Sequence, residues 1–472
     1  MSRINTNVTS LVAQRALSRN TSQLTTSLQR LSTGLKINSG KDDPAGLIAS
    51  ENLKSEQTGI TTALNNAQAA GNIIGTAEGG LTEVSSLLNQ LQGLVGQAAN
   101  SGGLSSDQIS ADQLQVDSIL TTINRISGST SFQGQKLLDG SLSYTTSGVT
   151  AAAVTGTQIN AAVLPANAAE NIVVGVTQSA QTATLGYTGG ALAAGNNVTI
   201  EVGGNSGTQQ VSLAGGATTA NIISAINNVK AATGVSATAS GTAVRLDSTT
   251  YGSKQFVSLK RVSGTFVPTT GKAVGRDAAV TVNGAAAQAD GTHVSFRSAT
   301  LDLSLDLAAT GTSSVNTNAG TTSFYITGGG ARFSLGSKVT ETDKASIGID
   351  SVSTADLGDS VKGFLSSLQS GQTNSLSSAD LTAAQKIVDT AVNQVSSLRG
   401  RLGAFQKFTI GSTVNALNVA YENVTAAVSD ISDTDFSAET ASLTRAQILT
   451  QAATTVLSQA NTAPQSVLKL LG

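Results

Sequence analysis

The sequence has no cysteine among its 472 residues, and only 3% of the residues are aromatic. Without cysteine, no disulfide framework, thiolate chemistry or cysteine-based metal site can form. A thick globular core normally uses aromatic bulk, yet no aromatic residue occurs before Phe132. The N-terminal quarter must therefore pack thinly, through small aliphatic side chains, as helical bundles do.

Charge and long apolar runs are also scarce. Charged residues make up 12% of the chain, about half the usual share, and the formal net charge is −2. This balance gives no electrostatic case for binding nucleic acid or anionic membranes. No stretch approaches 18 apolar residues, so no transmembrane helix is expected. Residues 1–7 lack the charged-then-apolar form of a secretory signal, which argues against Sec export and leaves other routes open.

The most regular pattern that is present lies at the C-terminal end, in residues 437–472. Its apolar positions recur at steps of three and four, which places them on one stripe of a helix. A helix with so narrow a stripe needs a partner helix, from this chain or from a neighbouring copy. The stripe contains Ala446, Leu449, Ala453, Val456, Ala460, Ala463, Val467 and Leu470.

A second stripe near the N-terminus mirrors the first. It contains Ile4, Val8 and Leu11, and continues through Leu24, Leu28, Leu31 and Leu35. Two interpretations stay open: an amphipathic helix packed on its own domain, or an arm that pairs with the C-terminal helix in a coiled coil. After Gly34 and Gly40 break the pattern, Asp43 and Pro44 predict an N-cap and the first residue of a new helix.

That new helix is predicted to run from Pro44 to about Asn100, roughly 80 Å at 1.5 Å per residue. Its steps from Gly71 to Ala77 predict a local stammer, and Gly79-Gly80 weakens the helical pattern. The predicted stripe contains Ile60, Leu64, Ala67, Gly71, Ile74, Ala77, Leu81, Val84, Leu88, Leu91 and Val95.

Four further helices are predicted, three of them outside the middle of the chain. The first covers residues 106–126. Near the C-terminus, one stripe contains Val388, Ala391, Val395, Leu398, Leu402 and Phe405, and a second, offset from it, contains Ile410, Val414, Leu417, Tyr421, Val424, Val428 and Ile431. Between the N-terminal and C-terminal helical regions, residues 130–350 are rich in Gly, Thr, Ala, Val and Ser. Apolar and polar residues alternate there as is typical of strands. One helix interrupts that region, at residues 218–232.

The fold class predicted is α+β and multidomain: a long helical bundle made by both ends of the chain, with an inserted β-rich region. The segments are an N-terminal helix arm and linker (1–43), a first half of a helical rod (44–140), one or two β-rich domains (141–350), a second half of the rod (351–432) and a C-terminal helix arm (433–472). Because the first and last segments mirror each other, both termini are expected to lie together.

The residues at both ends resemble the bacterial flagellin family. Within residues 2–53, the family's DD-x-AG segment stands at Asp42, Asp43, Ala45 and Gly46. Further matches are residues 65–81 (NNAQAAGNIIGTAEGGL), 125–141 (RISGSTSFQGQKLLDGS), 396–408 (SSLRGRLGAFQKF) and the AN-x-x-PQ-x-VL-x-LL ending at 460–471. The insertion is less similar, although residues 221–235 look like a strand–helix–strand module seen in some flagellins.

The resemblance implies a subunit that polymerises with itself into the flagellar filament for swimming motility. The arms would form an inner tube, the rod halves an outer tube and the insertion the exposed surface. The subunit would leave the cell unfolded through the flagellar type III export apparatus, with an export chaperone, and would meet the hook-associated junction and cap proteins. The positions assigned to filament-core packing are Ile4, Val8, Leu11, Leu24, Leu28, Leu31, Leu449, Ala453, Val456, Ala460 and Val467.

Two alternatives remain beside the filament subunit. A hook–filament junction protein shares related helical ends, although the PQ-x-VL-x-LL ending favours the filament subunit. An adhesive or enzymatic surface protein that uses coiled coils is the other. An enzyme is disfavoured because His293 is the single histidine and cannot supply the two ligands of a zinc-peptidase insertion. No cofactor or metal is expected, and Asp42 and Asp43 are better interpreted as a solvated acid and a helix cap.

One segment departs from the family. Flagellins sensed by the flagellin-recognising Toll-like receptor typically carry Gln-Arg-x-Arg-Glu-Leu on the long rod helix. In this chain the equivalent residues are Asn89, Gln90, Leu91, Gln92, Gly93 and Leu94. Because neutral glutamine cannot reproduce the charge and planar fork of arginine, the resemblance implies only weak receptor binding. The alternative is that this face packs against another helix or subunit.

Overall fold

The computed structural model describes residues 6–471, apart from 101, 102, 104, 165–168, 188–190, 242, 266–269, 299, 309–319, 360, 361, 379 and 380. Helices occupy both ends of the chain and strands the middle, so the predicted fold class is confirmed. The chain forms two compact units. The first consists of Met1–Ala69, Ser334–Asp343 and Thr409–Gly472, and the second of Ala70–Phe333 and Lys344–Phe408.

The first unit contains four helical segments. They are α1 (Val8–Thr33), the beginning of α2 (Pro44–Ala98), α7 (Gly411–Ser432) and α8 (Phe436–Leu471). Gly34 ends α1 in the left-handed region, at φ 75°, which favours glycine. The linkers after α1 and before α8 are joined by backbone hydrogen bonds, since the Lys36 amide donates to the Ser432 carbonyl at 2.7 Å. The expectation that the terminal segments lie together is therefore confirmed for α1 and α8.

Helix α2 begins where the sequence predicted. The Asp43 carboxylate accepts a hydrogen bond from the Gly46 amide at 3.0 Å, and Pro44 is the first helical residue. The helix continues through Gly79 and Gly80, where the pattern had weakened. A Cβ on Gly80 would lie 2.8 Å from Leu138 Cδ1, whereas one on Gly79 would meet nothing within 4 Å. The absence of a side chain at Gly80 therefore lets Leu138 pack closely against α2. Gly79 has no such packing role.

The predicted register of α2 is wrong in one part. The buried stripe passes through Ala63 and Ala70, both fully buried, whereas Leu64 and Gly71 are half-buried. With this correction the steps alternate between three and four throughout, and the predicted stammer is absent from α2. The stripe is Ile60, Ala63, Ala67, Ala70, Ile74, Ala77, Leu81, Val84, Leu88, Leu91 and Val95. Alanine takes these positions because a thin bundle brings helix backbones close together.

In the second unit, the rest of α2 is accompanied by two further long helices. Helix α3 (Ser106–Ser129) begins with a capping box between Ser105 and Gln108 and buries Val116, Leu120 and Ile123. Helix α6 (Thr382–Ala404) buries the predicted stripe as far as Leu402, but Phe405 is only half-buried. A π-helical turn, Phe405–Ile410, follows. Such a turn holds an extra residue, which accounts for the one-residue offset between the two predicted stripes.

The larger β structure is an eight-stranded antiparallel sheet in the order β3-β17-β5-β13-β14-β15-β16-β4. Its inward face buries a cluster that includes Ile172, Val174 and Phe324. The edge strands approach each other, since the Tyr144 hydroxyl bonds the Ala162 backbone. The strands are β3 (Tyr144–Ser147), β4 (Val154–Ala162), β5 (Glu170–Gln178), β13 (Ala279–Val282), β14 (Ala285–Asp290), β15 (His293–Arg297), β16 (Leu301–Leu307) and β17 (Thr321–Gly329).

A second β cluster is built from two smaller sheets, ordered β6-β10-β9 and β12-β11-β7-β8. Helix α4 (Thr219–Asn228) buries Ile222 and Ile226 in its core; it ends earlier than predicted and is followed by α5 (Lys230–Thr233). The strands are β6 (Thr182–Tyr187), β7 (Val198–Gly204), β8 (Gly207–Leu213), β9 (Val235–Ser240), β10 (Ala243–Tyr251), β11 (Phe256–Ser263) and β12 (Thr270–Val274). The β-rich region thus has two hydrophobic cores.

The remaining short strands form three hairpin-like pairs. They are β1 (Ser131–Phe132) with β2 (Gln135–Lys136), β18 (Ala331–Ser334) with β19 (Lys344–Ile347), and β20 (Gly358–Asp359) with β21 (Gly363–Phe364).

The β-rich region leaves and rejoins the helices at neighbouring residues. The Ile349 amide donates to the Leu142 carbonyl at 3.0 Å, and the Val352 amide to Leu138 at 3.1 Å. None of the helices in the described ranges is long and apolar enough to cross a membrane.

Candidate assembly surface of the terminal helices

Helices α1 and α8 run antiparallel and touch along a seam of small side chains. The residues buried there are Ser10, Ala13 and Ser27 on α1 and Ala446 and Ala453 on α8. Small residues allow close helix contact but bury little apolar area each, and the free energy gained scales with that area. This seam alone therefore stabilises the pair only weakly.

Polar contacts set the register of the pair. The Asn7 side-chain amide donates to the Ala460 carbonyl at 2.7 Å, and the Ser10 hydroxyl donates to Asn461 Oδ1 at 2.7 Å. Farther along, the Asn20 amide donates to the Leu449 carbonyl at 3.1 Å. A salt bridge of 3.5 Å joins Arg30 and Glu439 near the other end. Directional bonds at both ends fix which residues face each other.

The larger apolar residues of the two helices point away from the seam. Val8 is 57% exposed, Leu28 50% and Val456 58%. Exposed apolar surface that goes beyond single scattered side chains usually marks an interaction site. The exposed set is Val8, Leu11, Val12 and Leu28 on α1 and Phe436, Ile448, Leu449 and Val456 on α8. We call these eight residues the arm apolar face.

The positions assigned to filament-core packing divide into three groups. Val8, Leu11, Leu28, Leu449 and Val456 belong to the arm apolar face. Ala453 is buried in the seam, and Leu24, Leu31 and Ala460 are half-buried. Ile4 lies outside the described residues, as does the side chain of Val467. The periodicity pointed to these helices but did not separate residues that face the partner helix from those that face outward.

A groove opens between the N-terminal part of α1 and α8. Its volume is about 380 Å³. Three lining residues, Val8, Val12 and Val456, are more than half exposed. The lining is Val8, Thr9, Val12, Ala13, Ala16 and Val456. A site with this composition can accept an apolar side chain but offers nothing to a charged ligand.

The segment equivalent to the receptor motif lies on α2. Asn89, Gln90, Gln92 and Gly93 are exposed, while Leu94 is half-buried. Leu91 is fully buried in the α2 stripe, so it faces the helical core. The Gln92 amide donates to Asp389 Oδ1 on α6 at 2.9 Å. Gln90 is thus one of the positions at which an introduced side chain would face solvent.

The other candidate sites have structural roles. The pKa of the Asp42 carboxyl is held below its ordinary value by hydrogen bonds, first of all from the Ser39 hydroxyl. Asp43 caps α2. Among the described residues, no three His, Cys, Asp or Glu side chains are grouped so that they could hold a metal ion.

His293 lies on the outer face of β15, where its Nδ1 atom is 2.7 Å from Asp306 Oδ1 on β16. The hydrogen bond to Asp306 is the largest cause of a raised His293 pKa, and burial opposes it. Because the pKa of His293 is higher in the folded than in the unfolded chain, its protonated form stabilises the fold. The full contribution to the free energy of unfolding is present below the unfolded pKa of about 6.5 and is lost as the pH rises through the folded-state pKa.

We therefore expect the His293 ring to titrate above pH 6.5 and the Asp306→Asn variant to lower that pKa. NMR titration of the ring protons measures this without assignment, because the sequence has one histidine. The matched control is Asp302→Asn, which removes the partner of Arg297 in the same pair of strands. An unchanged titration in Asp306→Asn would show that this hydrogen bond does not set the pKa.

Helical ends around an inserted β-rich region, with large apolar side chains left exposed on the terminal helices, are typical of one class of protein, the subunits that pack against copies of themselves. Comparison with known proteins gives the family. The bacterial flagellin N-terminal helical region matches residues 4–143, the C-terminal helical region matches 385–471, and the flagellin hook IN motif matches 197–250.

Similar proteins match along the whole chain. The B-type flagellin of Pseudomonas aeruginosa is 31% identical over 99% of both chains. Polar flagellin F of Vibrio parahaemolyticus is 29% identical, and flagellin B of Vibrio cholerae 30%, each over 99% of both chains. The chain belongs to the bacterial flagellin family, and it is a structural subunit of the flagellar filament. The relatives do not favour the junction-protein or adhesive alternatives.

Proposed function

We propose that this chain polymerises by covering the arm apolar face with the same helices of neighbouring copies. The observation that carries the proposal is the exposure of large Val, Leu, Ile and Phe side chains beside a seam that buries only Ala and Ser. Fully burying one such side chain contributes roughly 1.5–3 kcal/mol. Several together give the driving force that the α1–α8 seam lacks.

In this proposal, residues 1–43 and 433–472 form the inner tube of the filament. Residues 44–140 and 351–432 form the outer tube, and residues 141–350 form the exposed surface. Identical copies that contact each other through different patches build an open, head-to-tail polymer when the rotation between neighbours does not close into a ring.

Electron microscopy of the purified protein tests the proposal. We expect long helical filaments once the protein is concentrated or seeded. Short assemblies that do not grow would favour a junction protein. Persistent monomers under seeding conditions, with the β-rich region folded, would contradict self-polymerisation.

We further propose that the subunit leaves the cell unfolded through the flagellar type III apparatus and functions extracellularly. The lack of cysteine supports this route, because no disulfide has to form or be undone during passage. The arm apolar face is the surface that an export chaperone would cover before polymerisation. The same helical ends would meet the cap and hook-associated proteins at the ends of the filament.

The terminal arms are expected to be disordered in the dilute monomer. Ordering one residue costs roughly 1–2 kcal/mol of backbone entropy, and the seam between α1 and α8 buries little area to offset it. Hydrogen exchange should show residues 1–35 and 437–472 unprotected in monomer and protected in filaments. Helix α3, with its buried Leu120, is the internal control that stays protected in both. Strong protection of the arms in dilute monomer would contradict this prediction.

Weak receptor recognition is also a proposal. Losing one charged hydrogen bond costs roughly 1.5–3 kcal/mol, or about tenfold or more in affinity. Gln90→Arg should therefore raise potency in a reporter-cell titration with monomer. The matched control is Gln97→Arg, which makes the same change at an exposed position of α2 beyond the motif. Potency of the unchanged chain equal to that of an arginine-bearing flagellin would refute the proposal.

A further inference from the structure

The two flanks of the α1–α8 pair differ. With 3.6 residues per turn, Val12 is turned about 100° to one side of Ala13, the residue that faces α8, and Ala16 about 60° to the same side. Leu28 is turned about 60° to the opposite side. The groove therefore opens on one flank of the pair, and the half-exposed Leu28 lies on the other.

Helix α8 shows the same division. Relative to the buried Ala446, Val456 is turned about 80° toward the groove that it lines, and Phe436 about 80° the other way. Phe436 is 57% exposed. Each helix thus contributes to the groove on one flank and carries a projecting apolar residue on the other.

Groove and projection are also displaced along the pair. Val12 and Leu28 are separated by 16 positions on one continuous helix, or about 24 Å at 1.5 Å per residue. They cannot meet within one copy. A contact between two different patches on opposite flanks is heterologous. Because the patches are also offset along the helix axis, each further copy is shifted along that axis, and the chain of copies does not close into a ring.

We propose that the groove lined by Val8, Val12, Ala16 and Val456 receives Leu28 of a second copy of this chain, placed on the adjacent flank and displaced by about 24 Å along the helix pair. This inference rests on the proposed self-polymerisation and specifies its contact. The groove is lined mainly by apolar carbon atoms, which suit an apolar side chain such as that of Leu28. Because the chain belongs to the flagellin family, a second copy of the same chain is the partner available at every position of a filament.

Cysteine pairing tests the contact, because the natural chain has no cysteine. Filaments of the double variant Val12→Cys, Leu28→Cys, treated with a mild oxidant, should give a ladder of covalent multimers in non-reducing denaturing gels. In this reaction two thiols lose two protons and two electrons to the oxidant and form one disulfide. An intramolecular bond is excluded because bridged Cα atoms lie within about 7 Å.

Either single variant is the matched control and should give no ladder. If the double variant does not polymerise, each single variant is diluted into unmodified chains, and mixed filaments should then give covalent dimers. Filaments that form with titratable thiols but without covalent bands overturn the contact while leaving self-polymerisation intact. A ladder from Val12→Cys with Phe436→Cys, and none with Leu28→Cys, likewise overturns the assignment of Leu28. Failure of the unmodified chain to polymerise would instead reject the proposed function.

Discussion

Val456→Asp should abolish filament formation while the subunit stays folded. In the isolated chain Val456 is 58% exposed, so a carboxylate there is solvated. In the proposed filament contact the same side chain is covered by a neighbour, and a buried unpaired charge would cost about 3–5 kcal/mol per contact. Since 1.4 kcal/mol is tenfold, the concentration needed for polymerisation should rise about a hundredfold or more.

Sedimentation of seeded assembly reactions measures this effect, and circular dichroism reports the fold of the subunit. Val456→Ile is the matched control, because it keeps an apolar branched side chain and should polymerise as the unmodified chain does. Normal filaments from Val456→Asp would show that this residue does not face another copy.

The neighbouring glycines of α2 should respond in opposite directions to substitution. Gly79→Ala should stabilise by roughly 0.5–1 kcal/mol, because glycine is a poor helix former and a Cβ there meets nothing within 4 Å. Gly80→Val should destabilise by roughly 1–3 kcal/mol through overpacking. Its Cβ would lie 2.8 Å from Leu138 Cδ1 and 2.9 Å from Thr130 Oγ1.

Thermal unfolding measures both changes, at roughly 2–4 °C per kcal/mol for a domain of this size. Because alanine and valine are both better helix formers than glycine, helix propensity alone cannot explain opposite signs at these two adjacent positions. Equal effects at both positions would mean that Leu138 and Thr130 give way without cost.

The helices were largely predictable from the sequence, because periodicity and caps act locally. Asp43-Pro44 marks the start of α2, and the α6 stripe is buried as predicted up to Leu402. The register error at Ala63 arose because leucine outweighs alanine in a hydrophobic pattern, and repeating the same steps of four and three then placed Gly71 on the stripe in place of Ala70. The shortage of aromatics had already indicated a thin bundle, and in such a bundle alanine takes the closest positions.

The assembly surface was predictable only in part. A stripe identifies the apolar side of a helix, but the partner that covers each residue depends on tertiary packing. Here the small residues Ala13 and Ala453 are covered by the partner helix, while the larger Leu28 and Val456 stay exposed. The order of the large sheet, with β5 between β17 and β13, was not predictable, because its pairings join strands more than 100 residues apart.

The hydrogen bond between Ile349 and Leu142 has a consequence for how such proteins diversify. The chain departs from the helices and returns at adjacent points, about 5 Å apart in a pair of this kind. Any folded module whose own ends lie that close could be grafted there without lengthening or straining the helical framework. The β-rich region can therefore be replaced by a different folded module while the helical framework that carries it stays the same.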